Sequence, residues 1–281
     1  MIHVFNYITD IQKFLKSERE KGHSVGLVPT MGALHEGHLS LVRRAEKEND
    51  IVVASVFVNP VQFNNSTDFE KYPRTPERDI EMLQNAGCDA VFVPSEKEIY
   101  PVPVTDKYDF GDLERVMEGV CRPGHFNGVA IVVRKLFEIV MPDRAYFGEK
   151  DFQQQAIIRK LVADLSLNLT IVPCDIIREK DGLAMSSRNM RLTPEERAVA
   201  PMIYKVLSEV AALKDSLSPD EMKKSALEKY ADIKDFDVEY VEITDETNLK
   251  SIKSWDNCKN ARIFVALQLG QVRLIDNLRI F

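Results

Sequence analysis

Residues 24–38 read SVGLVPTMGALHEGH and contain the clearest sign of the architecture, a strand that runs directly into a helix. The apolar run at 24–29 predicts a strand, and residues 36–48 carry apolar side chains at helical spacing. Residues 30–35 therefore join the carboxyl end of a strand to the N-terminus of a helix. Backbone N–H groups and the positive end of the helix dipole favour an anion such as phosphate at a junction of this kind.

The segments that follow alternate between strand and helix. Residues 51–58 (IVVASVFV) are apolar on both faces, as in a central parallel strand that is covered on both sides. Further strands are predicted at 90–94, 145–147 and 169–173, and helices at 76–86 after a Thr75 cap, at 127–140 and at 152–165. This alternation predicts an α/β fold, a Rossmann-like doubly wound parallel sheet.

The pattern changes after about residue 178. Two capping boxes, TPEE at 193–196 and SPDE at 218–221, each open a helix, and the first helix is predicted to run to about Leu213. Three strands follow at 238–243, 263–269 and 272–276, with a tight turn at Gly270 and Gln271 between the last two.

Helices followed by a hairpin indicate a smaller C-terminal α+β domain. We therefore predict one domain at 1–177 and a second at 178–281, with the boundary within 176–190. A cleft between two domains is a usual place for a small-molecule site.

The composition excludes two classes of partner. Lys and Arg number 37 against 44 Asp and Glu, and the net charge of -7 does not suit a protein that coats nucleic acid by neutralising phosphates. No apolar run approaches the roughly 20 residues of a membrane span, and the N-terminus lacks a basic stretch before an apolar core. The four cysteines form no C-x-x-C pair, so we expect four buried, reduced thiols in a cytoplasmic protein.

The H-x-G-H pattern of His35 and His38 is the first candidate site. Two residues separate the histidines, so their imidazoles share a face of the opening helical turn, and Gly37 between them lets a bulky ligand approach the backbone. We rank binding of nucleotide phosphate above the two alternatives, which are surface residues and metal ligands. The metal alternative is weaker because H-E-G-H lacks the spacer of H-E-x-x-H.

A second candidate is the glycine-hinged loop KDGLAMSSRN at 180–189. Its two hydroxyls, from Ser186 and Ser187, stand beside the guanidinium of Arg188 and form a plausible clamp for a triphosphate. The tripeptide Ser-Ser-Arg is also common in surface loops. It indicates a triphosphate site here because it follows an H-x-G-H unit and lies at the predicted domain boundary.

Two further segments leave predicted strands. In FGEKDFQQ at 147–154, Lys150 would neutralise phosphate and Asp151 would accept from ribose hydroxyls, the alternative being a capped helix with a solvated lysine. In VNPVQF at 58–63, a neutral amide would hydrogen-bond a hydroxyl or carboxylate group, the alternative being a turn amide.

The H-x-G-H and S-S-R segments resemble the two signatures, HIGH-like and KMSKS-like, of the class I nucleotidyltransferase superfamily. Together with YPRT at 72–75, RPGHFNGV at 122–129 and RLIDN at 273–277, all these segments resemble the pantothenate synthetase (pantoate-β-alanine ligase) family, in order along the chain. Two positions depart from the pattern of this family: Phe152 replaces a common tyrosine and Ile131 a common threonine. The superfamily's second signature usually ends in lysine in the synthetases, and here Ser187 and Arg188 stand in its place.

The resemblance implies an ATP-dependent ligase that condenses (R)-pantoate with β-alanine to pantothenate through pantoyl adenylate and releases AMP and pyrophosphate. It implies pantoate contacts from Gln62 and Gln154, Mg²⁺ on the polyphosphate, and a homodimer. His38 would be a proton donor, and the catalytic donors would be His38, His35, Lys150, Ser186, Ser187 and Arg188. The implied ATP contacts are Met31, Gly32, Ala33, Leu34, His35, Glu36, Gly37, His38, Gly148, Glu149, Lys150, Asp151, Ile177, Met185, Ser186, Ser187 and Arg188.

Two other functions stay open at this point. One is a nucleotidyltransferase of cofactor biosynthesis that keeps the nucleotide on its product; because such enzymes accept a phosphate, a further basic contact would be expected near Gln62 and Gln154. The other is a non-catalytic ATP-binding regulator descended from such an enzyme, which would bind nucleotide without turnover.

Overall fold

The computed structural model describes residues 1–64, 66–256 and 258–281, which form two compact units. The first unit contains Met1–Phe110, Arg122–Glu149 and Gln154–Asp175, and the second contains Gly111–Cys121, Lys150–Gln153 and Ile176–Phe281. The two short segments of the second unit lie inside the range 1–177 that the sequence assigns to the first domain. The division into functional domains at 177/178 stays a prediction.

The first unit is built on one six-stranded parallel sheet in the order β1-β4-β3-β2-β5-β6, which confirms the predicted sheet. Its strands are β1 (His3–Phe5), β2 (Val25–Thr30), β3 (Ile51–Val56), β4 (Ala90–Phe92), β5 (Arg144–Gly148) and β6 (Thr170–Cys174). The strand order reverses between β2 and β5, so this pair forms the topological switch point of the sheet, where ligands bind in open α/β folds.

Helices cover both faces of this sheet. The helices of this unit are α1 (Ile8–Glu20), α2 (Glu36–Glu48), α3 (Ser66–Glu70), α4 (Pro76–Asn85), α5 (Glu96–Ile99), α7 (His125–Val140) and α8 (Phe152–Asp164), the first two residues of α8 being counted with the second unit; α6 (Met117–Cys121) belongs to the second unit. Alternate strand residues belong to two apolar clusters, one shared with α1, α7 and α8 and the other with α2 and α4. Because successive strand residues point to opposite faces, the sheet is doubly wound as predicted.

Two details of this unit differ from the sequence-based expectation. The strand predicted to 58 ends at Val56, because Asn59 caps a 3₁₀ turn at Pro60–Gln62 with its side chain. Four elements of this unit, β1, α1, α3 and α5, were not predicted; α1 buries Ile11 and Leu15 on its inner face.

The second unit contains α9 (Pro194–Val199), α10 (Met202–Ala211) and α11 (Pro219–Ala231) against an antiparallel sheet of β7 (Phe236–Asp245), β8 (Ala261–Leu269) and β9 (Val272–Arg279). Both capping boxes and the smaller α+β fold are confirmed. The single helix predicted to Leu213 is wrong, because it divides at Pro201, whose ring nitrogen has no hydrogen to donate, and ends at Ala211.

The cysteines also differ from the expectation of four buried thiols. Cys88 and Cys174 are buried, whereas Cys121 is exposed at the end of α6 and Cys258 is partly exposed. All four are free thiols. Across residues 1–64, 66–256 and 258–281, none of the helices is both long and apolar enough to span a membrane.

Candidate active site

The loop between β2 and α2 is held by a buried carboxylate. Asp79, on α4 and only 1% exposed, accepts the backbone N–H groups of Ala33 and Leu34 at 2.8 Å each. Gly32 and Ala33 have φ of +80° and +50°, so the chain turns sharply before the helix. The Thr30 hydroxyl accepts the Gly32 N–H at 3.1 Å and fixes the start of the same turn. The resulting loop presents the N-terminus of α2 at the switch point.

His35 and His38 form the capping box of α2. The Nδ1 of His35 accepts the Gly37 N–H at 3.2 Å, and the Nδ1 of His38 accepts the His35 N–H at 3.4 Å. The ring centroids are 4.1 Å apart, which confirms that the imidazoles share a face. Since each Nδ1 acts as an acceptor, each neutral ring carries its proton on Nε2. Both side chains are therefore N–H donors at a helix N-terminus.

Other predicted residues of this loop have defined surroundings. Ala33 and Leu34 are buried, and Met31 is partly buried with its sulfur accepting from the Gln62 amide at 3.2 Å. The Glu36 carboxylate pairs with Arg43 on the same helix.

Gln62 lies in a network of buried polar groups. Its Oε1 accepts the Asn59 amide at 3.1 Å, and its backbone carbonyl is 2.9 Å from Nδ1 of His125. Asn59 also donates to the Gly128 carbonyl at 3.1 Å and accepts the Tyr100 hydroxyl at 2.7 Å. Burial raises the pKa of Tyr100, so its hydroxyl keeps the proton that it donates.

Gly128 explains why this network is so close to α7. A Cβ at this position would lie 2.5 Å from the Val61 carbonyl oxygen and 2.7 Å from Cα of Gln62. Only glycine allows the helix to approach the 3₁₀ turn that carries Gln62.

Gly148 and Glu149 lie at the same edge of the sheet as the histidine loop. β5 ends at Gly148 and pairs in parallel with β2, with Leu27 opposite Ala145. Both strands thus deliver their carboxyl ends to the switch point. Gln154, also in the first unit, is half-buried in the first turn of α8.

The remaining predicted residues belong to the second unit. Lys150 is largely buried, its side chain 18% exposed, with Nζ 3.8 Å from the Asp151 carboxylate. The Ser186 hydroxyl caps a 3₁₀ turn (Ser187–Arg191) by accepting the Arg188 N–H at 3.2 Å, and Ser187 is buried. The Met185 N–H donates to the Ile177 carbonyl at 3.0 Å, which closes the base of this loop.

The predicted residues therefore fall into two sets. One set, in the first unit, contains residues 31–38 with Gln62, Gly148, Glu149 and Gln154; the other, in the second unit, contains Lys150, Asp151, Ile177 and residues 185–188. That both sets bind one nucleotide stays a prediction.

Sequence reasoning did not assign Asp79 or Tyr100 to the site. A signal for Asp79 was present, because a carboxylate four residues before Leu83 stands on the inward face of its helix. Tyr100 carried no such signal, since its hydrogen bond to Asn59 joins residues 41 positions apart.

Comparison with known proteins gives consistent matches. The family model described as pantoate-beta-alanine ligase matches residues 3–279. The chain is 51% identical over 278 residues to the pantothenate synthetase of Porphyromonas gingivalis strain W83, covering 99% of both sequences. It is 48% identical over 282 residues to that of Aquifex aeolicus, covering 99% of this chain and 98% of the relative.

Solved structures agree with these sequence matches. A crystal structure of pantothenate synthetase from Thermus thermophilus superposes with a TM-score of 0.94 at 42% identity, covering 100% of both chains. Pantoate-beta-alanine ligase from Francisella tularensis, complexed with beta-gamma ATP and beta-alanine, gives a TM-score of 0.84 at 36% identity, covering 100% of this chain and 98% of the other. From these matches over the whole length we conclude that the chain belongs to the pantoate-β-alanine ligase family.

Proposed function

We propose that this enzyme condenses (R)-pantoate with β-alanine in two steps, using ATP to form pantoyl adenylate and releasing AMP and pyrophosphate. It is a carbon–nitrogen bond-forming ligase of the pantoate-β-alanine ligase family. The observation that carries the proposal is the pair of imidazoles at the switch point, each with Nδ1 occupied by a backbone N–H.

In the first step, a pantoate carboxylate oxygen attacks the α-phosphorus of ATP and pyrophosphate leaves. The carboxylate is ionised at neutral pH, so the step needs alignment of the two anions and relief of their repulsion rather than a base. We assign these tasks to six donors: the Nε2–H groups of His35 and His38, the Lys150 ammonium, the Ser186 and Ser187 hydroxyls and the Arg188 guanidinium. Of these, His38 would stabilise the charge that develops on pyrophosphate.

Gln62 and Gln154 would hold pantoate by neutral hydrogen bonds. The buried amide of Gln62 is fixed by Asn59 and suits a hydroxyl or carboxylate without adding charge. Among residues 1–64, 66–256 and 258–281, the side chains of Gln62 and Asn59 hydrogen-bond neutral groups and no Lys or Arg, which favours pantoate over a phosphate-bearing acceptor.

We infer that Mg²⁺ enters with ATP as part of the substrate. Within residues 1–64, 66–256 and 258–281, no three His, Cys, Asp or Glu side chains cluster in a way that could hold a metal ion. Mg²⁺ on the polyphosphate would neutralise charge alongside the protein donors.

In the second step, the β-alanine amine attacks the acyl carbonyl of pantoyl adenylate, the carbon–nitrogen bond forms and AMP leaves. AMP is a good leaving group, so the protein has mainly to keep the mixed anhydride from water while the amine binds.

An isotope experiment tests this order of steps. Exchange of labelled pyrophosphate into ATP should require pantoate and proceed without β-alanine, and ¹⁸O in the pantoate carboxylate should appear in AMP. Exchange that depends on β-alanine, or a released product that still carries AMP, would exclude the proposal; the second result would favour the nucleotidyltransferase.

From the family resemblance we further infer a homodimer in the cytoplasm. Sedimentation at micromolar protein concentration would distinguish a dimer from a monomer of 32.0 kDa.

A further inference from the structure

Asn277 of β9 holds the backbone of the Lys150 segment. Its side-chain amide donates to the Lys150 carbonyl at 2.9 Å, while its Oδ1 accepts from Arg262. The guanidinium carbon of Arg262 also lies 4.2 Å from the centre of the Phe152 ring. Asn277 and Arg262 are 1% and 2% exposed, so water competes little for these contacts. The Lys150–Phe152 segment is therefore held at two points.

The neighbouring residue, Asp276, holds the second phosphate loop. Its carboxylate accepts two hydrogen bonds from Arg178, at 2.6 and 3.0 Å. The same guanidinium donates to the Gly182 carbonyl at 3.2 Å and lies 3.7 Å from the centre of the Tyr204 ring. Gly182 closes the turn of residues 179–182, with its N–H donating to the Glu179 carbonyl at 2.9 Å, and stands four residues before Ser186. Arg178 thus fixes this loop to β9.

We propose that Asp276 and Asn277 are positioning residues for adenylation, which act by fixing Lys150 and the loop bearing Ser186, Ser187 and Arg188 to one strand. The inference rests on the proposed function, because it takes those side chains as phosphate ligands. Consecutive strand residues point to opposite sides, so a single dipeptide holds two loops. The two contacts are linked through the backbone of Asn277, whose carbonyl accepts from Arg178 at 3.2 Å and whose N–H donates to the Asp276 carboxylate at 2.8 Å, so a side-chain substitution at 277 leaves this link in place. Both loops and the dipeptide belong to the second unit, so all of these contacts lie within one compact part of the protein.

The isosteric variant Asn277→Asp tests the first contact. It preserves the size of the side chain and the acceptor for Arg262 but places an oxygen opposite the Lys150 carbonyl. Because a misplacement of about 1 Å can cost 10²-fold in rate, we expect pantoate-dependent pyrophosphate exchange to fall by about 10- to 100-fold. The KM for pantoate and the rate with supplied pantoyl adenylate and β-alanine should stay unchanged, since neither uses the polyphosphate ligands.

Asp276→Asn is the second variant and tests the contact with Arg178. It is measured by the same two half-reactions, which are pantoate-dependent pyrophosphate exchange and the reaction of supplied pantoyl adenylate with β-alanine; only the first should slow. The matched control is Thr244→Val in β7. Thr244 is fully buried in the same sheet, and its hydroxyl has no hydrogen-bond partner in the part of the chain that the structure describes, so its removal should leave both half-reactions unchanged.

A double-mutant cycle separates positioning from general stability. If Asn277 acts through Lys150, Asn277→Asp should add no further loss to a Lys150→Ala enzyme but should keep its effect in an Arg188→Ala enzyme. Equal loss of both half-reactions, or additive losses with Lys150→Ala, would overturn the inference. If the Lys150→Ala enzyme exchanges pyrophosphate at the normal rate, the assignment of Lys150 in the proposed function fails. If Lys150→Ala loses exchange while Asn277→Asp keeps the normal rate, only the positioning role of Asn277 fails.

Discussion

The carboxylate of Asp79 accepts the backbone N–H of Ala33 at 2.8 Å, in a loop where Ala33 itself has a φ of +50°. A hydrogen bond to a buried charged acceptor of this kind is worth about 1.5–3 kcal/mol, which offsets the cost of a left-handed residue with a side chain. The same carboxylate accepts from Leu34 and from the Thr75 hydroxyl. The shape of the histidine loop therefore depends on a residue 46 positions away in the sequence.

Gly32→Ala should destabilise the protein more than Gly22→Ala. Both glycines have positive φ, +80° and +87°, so alanine costs about 1–2 kcal/mol of backbone strain at either position. At Gly32 the new Cβ would also lie 2.9 Å from the Asp79 carboxylate and 3.0 Å from Val56, whereas nothing lies within 4 Å at Gly22. Urea unfolding of both variants measures the difference, and equal losses would show that the contact with Asp79 has no energetic effect.

His38→Ala should lower turnover by about 10²- to 10³-fold, because one donor to the developing charge is lost. It should also lower the free energy of unfolding by about 1 kcal/mol, since the His35 N–H loses its capping acceptor.

His38→Glu separates these two effects. Glutamate at this helical position accepts the same backbone N–H in a capping box, so stability should return while turnover stays low. The two variants are compared by steady-state kinetics and by chemical unfolding. Turnover that recovers together with stability would show that His38 acts only as a cap.

Gln62→Ala should raise the KM for pantoate by about 10- to 100-fold, the equivalent of one hydrogen bond to a charged ligand. ATP binding should stay largely intact, because Gln62 is not among the six donors assigned to the phosphates and its Oε1 bonds Asn59; the loss of its weak bond to the Met31 sulfur should have only a small effect. Gln84→Ala, which removes an exposed amide, is the matched control. Unchanged pantoate kinetics in Gln62→Ala would remove this residue from the site.

Acid should destabilise the second unit through Glu246. Burial raises the pKa of this carboxyl, but the hydrogen bonds from Arg279 and Arg262, at 2.7 Å each, outweigh burial and hold the pKa below the ordinary 4.5. A lowered pKa in the folded state means that the stabilisation is present above about pH 4.5 and is lost as the pH falls through the folded-state value.

Unfolding free energies measured from pH 6 to pH 3 should therefore fall less steeply for Glu246→Gln than for the unmodified protein. Glu228→Gln, an exposed residue of α11, should keep the original slope. A slope unchanged by Glu246→Gln would contradict the role of this carboxylate.

Local sequence patterns predicted most of the secondary structure. α2 begins and ends at the residues predicted, and both capping boxes form as written, because these signals lie within one or two helical turns. The prediction of a single helix to Leu213 was wrong because two local rules competed at Pro201. The apolar periodicity continues through this residue, but its ring nitrogen has no hydrogen to donate, and the helix divides there.

The class of fold, the two imidazoles on one face of the opening turn of α2 and, through the resemblance of the motifs, the family could all be read from the amino-acid order alone. Periodicity, capping and motif spacing are properties of neighbouring residues, and they can be read before the chain is folded. Three contacts became visible only in the folded chain: Asp79 shapes the histidine loop, Asn59 holds Gln62 against α7, and one dipeptide of β9 holds two loops. These contacts join residues tens to more than a hundred positions apart, and a buried polar group takes whichever partner folding brings to it.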